Sequence, residues 1–216
     1  TLCLCTIWGF IFAITATSFP GCSSTFIRHR SRHQNCYHSP LFKQNRGFEL
    51  RYAIIGAGMA GMLAAIKLLE RGCRDLIVYE KGHTIGGTWR ENTYPGLTCD
   101  VPSHSYTYSF ELNPDWTRTQ PPGHEVQAYF EAVKEKYGLE EWITFNEEVV
   151  SCVYQHGRWQ LKTASGRQDS ADAVIAATGV LHHPRYPDIS GIDAFQGAIF
   201  HSAEWDHSTP LDGQRI

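Results

Sequence analysis

The sequence contains no C-x-x-C pair, and cysteine is scarce beyond its first 36 residues. Only Cys73, Cys99 and Cys152 lie in residues 49–216. The total of seven cysteines is odd, which gives no support to a disulfide framework, and the missing C-x-x-C pair gives none to a zinc site or a dithiol redox centre. A disulfide reductase is therefore not indicated, and residues 49–216 have the cysteine usage of an intracellular domain.

Acidic residues are absent before Glu49, so the chain divides into a basic segment and an acidic body. Residues 1–48 hold five of the 19 Lys and Arg residues, whereas residues 49–216 hold the other 14 and all 22 Asp and Glu residues. A body with an excess of eight acids and no basic stripe argues against nucleic acid as a partner. The apolar fraction of 42% in 216 residues is typical of a folded globular chain.

Residues 2–19 are uncharged and mostly apolar, and a stretch rich in Arg, His and Ser follows them. Three interpretations of residues 1–48 remain open. They are a targeting sequence for an organelle or the secretory pathway, a membrane anchor of near-minimal length, or translated non-coding sequence. A membrane contact is expected only through residues 2–19, and without targeting the protein would be cytoplasmic.

A strand, a glycine-rich turn and a helix are predicted in succession. Residues 51–55 suit a buried parallel strand, residues 56–61 read G-x-G-x-x-G, and residues 62–71 favour a helix ended by Gly72. Residues 76–79 then favour a second strand. This order is typical of a dinucleotide site, in which a helix N-terminus offers N–H groups to phosphates.

Each glycine of the turn has a predicted task, and an acid completes the site. Gly56 permits the tight turn, Gly58 lets the backbone approach the pyrophosphate, and Gly61 lets the helix pack close to the strand. Glu80 follows the second strand, where it can accept hydrogen bonds from the adenosine ribose. An acid here disfavours a ribose 2′-phosphate, so FAD or NAD is indicated.

Three further motifs resemble those of a known family. Residues 86–89 read G-G-T-W, residues 92–96 read N-x-Y-P-G, and residues 100–106 read D-x-x-S-H-x-Y. This run resembles the flavin-containing and Baeyer–Villiger monooxygenases, and it favours FAD. Residues 195–206 fit F-x-G-x-x-x-H-x-x-x-W-[PD], the fingerprint of type I Baeyer–Villiger monooxygenases. Relatives that oxidise amines or sulfides usually carry Tyr or Phe in place of Trp205, so the resemblance implies ketone oxidation.

The resemblance implies an α/β fold, a Rossmann-like, three-layer ββα FAD-binding domain with a parallel sheet and a β-meander. The expected divisions are residues 1–48, an FAD-binding domain over 49–192, and a fingerprint linker over 193–216 to a second, NADPH-binding Rossmann domain. The chain is expected to be truncated before that domain. The expected elements are a core helix over 125–137, a strand over 145–149, a meander over 149–176, a strand over 173–177 that returns to the parallel sheet, and the opening of a further strand over 212–216.

The implied function is the FAD-binding part of an NADPH- and O2-dependent monooxygenase, which converts a ketone to an ester or lactone through a C4a-peroxyflavin. The alternatives are an amine or sulfide monooxygenase and a non-catalytic FAD-binding remnant. The 216 residues alone are expected to be inactive, because they contain neither the NADPH-binding glycine loop nor the family's catalytic Arg.

The resemblance also assigns residues to the site. Asp100 is expected near the flavin, and His201 is expected to act by coupling the two dinucleotide domains. No metal site is expected. The predicted cofactor contacts are Gly56, Gly58, Ala60, Gly61, Glu80, Gly87, Thr88, Trp89, Asp100, Tyr106, Val149, Thr178 and Gly179.

Overall fold

The computed structural model describes residues 6–7, 10–11, 50–181 and 183–216. Most of residues 1–48, with the three interpretations of that segment, therefore lies outside the described residues. Within the segment, β1 (Thr6–Ile7) and β2 (Phe10–Ile11) pair in antiparallel fashion. No helix in the described part of the chain has the length and apolar character that a membrane span requires.

The described residues from 50 onward form seven strands and three α-helices. The strands are β3 (Tyr52–Ile55), β4 (Leu76–Tyr79), β5 (Ile143–Thr144), β6 (Val149–Gln155), β7 (Arg158–Thr163), β8 (Gln168–Ala171) and β9 (Ala173–Ala176). The α-helices are α1 (Met59–Glu70), α2 (Thr88–Glu91) and α3 (Gly123–Lys136). Short 3₁₀ helices span Ser103–Ser105, Leu139–Trp142, Ile192–Ala194 and Ser202–Glu204.

A parallel sheet with the strand order β5-β4-β3-β9 forms the centre of the fold. The predicted strands at 51–55 and 76–79 are confirmed, and the strand predicted at 173–177 returns to pair with β3 as β9. Helix α1 connects β3 to β4, but it begins at Met59, three residues before its predicted start. Gly72 lies just past its C-terminus with a φ of +85°, the left-handed conformation that ends many helices.

The predicted meander is confirmed as the antiparallel sheet β6-β7-β8, but the strand predicted over 145–149 is wrong. The parallel strand ends at Thr144, and β6 begins only at Val149. Between them Asn146 takes a φ of +54°, which takes the backbone out of the extended conformation. Its N–H donates to Gly82 O at 2.9 Å, so this connection pairs with the loop after β4.

The strand expected to open at residues 212–216 is not formed. They form a turn and irregular backbone instead. A strand exists only when a neighbour completes its hydrogen bonds. Among the described residues none pairs with this segment.

Alternation along the parallel strands separates two cores. Ile54 and Val78 point to one face, where they pack with helices α1 and α3. Ala53 and Tyr79 point to the other face, where they pack with Leu161 of the meander. The sheet is therefore covered by helices on one side and by the meander on the other, and the predicted three-layer α/β fold is confirmed.

A polar network joins the parallel sheet to the meander. Asp169 on β8 accepts hydrogen bonds from the Tyr79 hydroxyl at 2.6 Å and from Arg51 Nη2 at 2.8 Å. Arg51 also donates to Asp75 at 2.6 Å. Burial alone would raise the pKa of Asp169, but the hydrogen bonds from Arg51 and Tyr79 outweigh burial and lower that pKa. Burial and the bond to Asp169 raise the pKa of Tyr79 to about 12.

We expect Asp169→Asn to lower the free energy of unfolding at pH 7 by about 1–3 kcal/mol, because Arg51 and Tyr79 lose a charged acceptor. The pKa of Asp169 is lower in the folded than in the unfolded state, where it is about 4. Its stabilising contribution is therefore complete above that unfolded value and is lost as the pH falls through the folded value. Urea unfolding at pH 7 and pH 3 should show the difference between wild type and variant shrinking at pH 3.

Glu140→Gln is the matched control, because Glu140 also pairs with a base, Lys134, but is 66% exposed. Its effect should stay below about 0.5 kcal/mol at both pH values. If wild type and Asp169→Asn differed in the free energy of unfolding by the same amount at pH 7 and pH 3, this would contradict a stabilising role for the Asp169 charge.

Candidate functional site

The glycine-rich turn lies where the ends of β3 and β9 meet the start of α1. Gly56 has a φ of +99°, and a Cβ on it would lie 2.5 Å from the carbonyl oxygen of Ala177. A Cβ on Gly61 would lie 1.8 Å from the carbonyl oxygen of Gly56. Both positions exclude a side chain, so the tight turn and the close helix packing take the form that the motif predicts. Ala60 lies half-buried in the first turn of α1.

Gly58 differs from these two, because space lies beside it. Its φ of −77° is open to any residue, and a Cβ on it would have only the Cα of Gly87 nearby, at 3.9 Å. Gly58 is also the N-cap residue of α1, and no side chain caps the helix there. The first amides of α1 therefore have no side-chain acceptor, and amides of this kind can bind an anion at a helix N-terminus.

Gly87 brings the second glycine motif to the first. A Cβ on Gly87, whose φ is +54°, would lie 3.5 Å from the Cα of Gly58. Gly86 N–H donates to Ala57 O at 3.2 Å, so backbone hydrogen bonding also holds the two turns together. Thr88 begins α2 directly after this contact. The sequence assigned both motifs to one cofactor, and the structure places them face to face.

Glu80 lies beside the same turn and is only 3% exposed. Its Oε2 accepts a hydrogen bond from Ala57 N–H at 2.8 Å. Its Oε1 accepts from Gly82 N–H at 2.8 Å and from Arg90 Nη1 at 2.7 Å. A carboxylate offers about four acceptor positions, so one remains for a ribose hydroxyl. The predicted ribose contact stays a prediction, and the three protein donors were not predicted.

Two predicted flavin-side aromatics touch each other. The Trp89 indole N–H donates to the Tyr106 hydroxyl at 3.1 Å, and the rings meet edge to face at 5.6 Å. Burial raises the pKa of Tyr106, against a smaller lowering by the bond from Trp89. Asp100 is exposed, so the structure supplies no burial that would favour a catalytic role for it.

The other predicted contacts lie after the end of β9 and at the start of β6. Thr178 and Gly179 follow β9 and are exposed, with Gly179 at a φ of +77°. Val149 begins β6, and the connection before it is tied to β4 by Glu147 N–H donating to Glu80 O at 2.9 Å. Ligands of parallel sheets bind at the carboxyl ends of strands, which is where Thr178 and Gly179 lie.

His201 has a local structural contact in the fingerprint segment. Its Nδ1 accepts a hydrogen bond from Ala203 N–H at 3.1 Å and so caps the 3₁₀ helix Ser202–Glu204. The edge of its ring meets Tyr186, with centroids 5.8 Å apart. Coupling to a second domain stays a prediction for His201.

The fingerprint segment docks on the N-x-Y-P-G motif, a contact that sequence reasoning missed. The Trp205 ring lies against Phe200 at 4.9 Å and against Tyr94 at 6.3 Å. Beside it, Thr93 Oγ1 and His207 Nε2 are 2.8 Å apart, a hydrogen bond. Two motifs more than a hundred residues apart in sequence are therefore joined in the fold.

Comparison with protein families matches residues 53–216 to the family described as pyridine nucleotide-disulphide oxidoreductase. An uncharacterized monooxygenase of Mycobacterium tuberculosis is 55% identical over 164 residues, which are 76% of this chain and 33% of that protein. A Baeyer–Villiger monooxygenase of Streptomyces coelicolor is 44% identical over 169 residues, 77% of this chain and 32% of that protein. The chain thus spans about a third of the length of these curated relatives.

A solved structure shares the fold. The crystal structure of OTEMO in complex with FAD and NADP superposes with a TM-score of 0.68 at 29% identity. The match covers 74% of this chain and 31% of that one.

We expect Gly61→Ala to lower the free energy of unfolding by about 1–3 kcal/mol or more, because its methyl group would overlap the Gly56 carbonyl. Gly58→Ala should cost less, about 0.5–1 kcal/mol, because its methyl group meets only the Cα of Gly87 and the remaining cost is that of Ala at an N-cap. Thermal and urea unfolding of both variants measure the difference. Equal destabilisation by the two substitutions would contradict the different packing of these glycines.

We also expect Trp205→Ala to release the fingerprint segment from the N-x-Y-P-G motif. Losing two aromatic contacts should speed hydrogen exchange in residues 193–216 by about tenfold. The control is Phe195→Ala in the same segment, since Phe195 is 60% exposed. Unchanged exchange in the Trp205 variant would show that the docking contact does not hold the segment.

Proposed function

Because this chain belongs to the pyridine nucleotide-disulphide oxidoreductase family, we propose that it is the FAD-binding part of a flavoprotein monooxygenase that oxidises ketones to esters or lactones. NADPH would be the electron donor and O2 the oxygen source. The family contains dithiol enzymes, but this sequence has no C-x-x-C pair to support that chemistry. The similarity of this chain to monooxygenases supports an oxygenase function.

One observation carries the proposal: at the turn that starts α1, Gly58 lies beside Gly87 and Glu80 bonds to Ala57 N–H. Gly58 has room for a ligand where Gly56 and Gly61 have none. Glu80 accepts from Ala57 N–H, the residue before Gly58, and keeps one acceptor position, while the first amides of α1 have no side-chain cap. A dinucleotide with a free ribose fits this combination of donors and acceptor.

Different residues would contact different parts of the cofactor. The amides that follow Gly58 would bind the pyrophosphate, and Glu80 would bind the adenosine ribose. Gly87 would bring the backbone close to the flavin half, and Trp89 with Tyr106 would bury it from water. FAD supplies the redox chemistry when bound, since it accepts a hydride from reduced nicotinamide and reacts with O2. The protein then contributes binding, orientation and exclusion of water.

Two observations favour ketone oxidation over the oxidation of amines or sulfides. The fingerprint ends in Trp205 and Asp206, and relatives that oxidise amines or sulfides usually carry Tyr or Phe in place of this Trp. The relative from Streptomyces coelicolor is itself a Baeyer–Villiger monooxygenase. Amine or sulfide oxidation remains the second candidate, and a non-catalytic FAD-binding remnant the third.

The division into residues 1–48, 49–192 and 193–216 stays a proposal. So do the roles of Asp100 near the flavin and of His201 in coupling, together with any targeting through residues 1–48. Each concerns contacts with groups or segments beyond the described residues.

We expect the purified 216-residue chain to bind FAD and Gly58→Ala to weaken that binding by about tenfold or more. The added methyl group would occupy the space next to the pyrophosphate, and tenfold corresponds to about 1.4 kcal/mol. Flavin fluorescence titration gives the dissociation constants, with Gln160→Ala on the exposed side of β7 as a control that should bind like wild type. Equal affinity in wild type and the Gly58 variant would remove Gly58 from the site.

The reaction class is tested on the natural gene product, purified from its source and given a ketone, a tertiary amine and a sulfide in parallel. We expect NADPH oxidation to rise most with the ketone, with an ester or lactone one oxygen heavier as product. The 216-residue chain should oxidise NADPH no faster than free FAD, since it carries a single G-x-G-x-x-G turn and no second loop to position the donor. Faster formation of an N-oxide or sulfoxide would favour the second candidate.

A further inference from the structure

A buried ion pair stands directly behind the predicted ribose contact. Arg90 Nη1 lies 2.7 Å from Glu80 Oε1, and the two side chains are 10% and 4% exposed. Arg90 belongs to α2, the short helix of the G-G-T-W motif, whereas Glu80 follows β4. A single side chain from the predicted flavin half of the site therefore holds the acid of the predicted adenosine half.

The position of the Arg90 guanidinium is determined on several sides. Its Nη1 also donates to Thr84 O at 2.6 Å, and its Nη2 donates to Glu91 Oε1 at 2.9 Å. It lies over Gly82, where a Cβ would come within 2.4 Å of its terminal atoms. A side chain held by two carboxylates, a carbonyl and a packed backbone has little freedom to turn away.

We propose that Arg90 is a positioning residue for adenosine recognition: it fixes the Glu80 carboxylate so that the one open acceptor position faces the ribose hydroxyls. The inference rests on the proposed function, because it assumes that the Glu80 side of the site receives the ribose of FAD. In this proposal Arg90 does not contact the cofactor. It acts through Glu80 alone.

Arg90 can position Glu80 because, among the described residues, only three donors hold this buried carboxylate, and Arg90 is one of them. Ala57 N–H occupies Oε2, while Gly82 N–H and Arg90 occupy Oε1, so rotation of the carboxylate breaks at least one bond. Without Arg90, a carboxylate that is 3% exposed has lost its counter-charge and one of three constraints. It would turn toward water or toward a new donor, and its open acceptor position would no longer be aligned.

A comparison of ligands separates positioning from general destabilisation. The probes are ADP and 2′,3′-dideoxy-ADP, which share the base and the pyrophosphate and differ only in the ribose hydroxyls. Each is titrated as a competitor of FAD on wild type, Arg90→Gln, Arg90→Lys and Lys81→Gln. Lys81 is the matched control. Its Nζ pairs with Glu91 Oε1 at 3.2 Å, and the ion pair described for it does not include Glu80.

In wild type and Lys81→Gln, ADP should bind about tenfold more tightly than the dideoxy compound, since the hydroxyls gain a charged acceptor. In Arg90→Gln this ratio should fall to about twofold or less, with FAD affinity lowered by a similar factor. Arg90→Lys should restore part of the ratio, because an ammonium group keeps the charge but not the fork of donors.

The outcomes distinguish the inference from the proposed function. An unchanged ADP to dideoxy-ADP ratio in Arg90→Gln would overturn the positioning role, even if both ligands bind more weakly. A wild-type chain that binds FAD but shows no preference for the hydroxyls would also overturn it. A wild-type chain that binds no FAD would overturn the proposed function first, and the inference with it.

Discussion

The close approach of Gly61 to the Gly56 carbonyl is the contact on which the arrangement of the site depends. Helix α1 can lie this near to β3 only because neither position carries a side chain. The approach brings the N-terminus of α1 to the carboxyl ends of β3 and β9, which leaves Gly58 beside Gly87. A larger residue at either position would push the helix outward, and the amides of its first turn would no longer converge with Glu80.

The meander extends this arrangement from the other face of the sheet. Residues of β3 and β4 alternate between the helical core and the meander core, so a single register satisfies both. The Asp169 network then ties β8 to the sheet with charge-assisted hydrogen bonds, where apolar packing alone would leave the Tyr79 hydroxyl buried without a partner. The site therefore stands on a sheet that is fixed from both sides.

The fold and the family are compatible with more than one class of reaction, and particular residues reduce the number of classes. Families with this dinucleotide fold include dithiol enzymes as well as oxygenases, and the absence of a C-x-x-C pair separates this sequence from the former. The proposal of ketone oxidation depends on the fingerprint and on one named relative, both of which concern the branch and not the fold. The cofactor proposal has broader support, because Gly58 lies beside Gly87 and Glu80 bonds to Ala57, the residue before Gly58.

Local sequence determined the elements of this protein, because strand, turn and helix signals depend on neighbours a few residues away. The spacing of glycines predicted the turn at Gly56, short apolar runs predicted β3 and β4, and the family resemblance implied that β9 returns to the parallel sheet. The strand expected at residues 145–149 came from the family resemblance, and it failed because Asn146 bonds to the loop after β4, a contact that no local pattern reveals. Only the tertiary structure decided that Arg90 meets Glu80 and that Trp205 meets Tyr94. Such contacts depend on the relative placement of whole elements and on the burial that follows, and neither is encoded in any short stretch of residues.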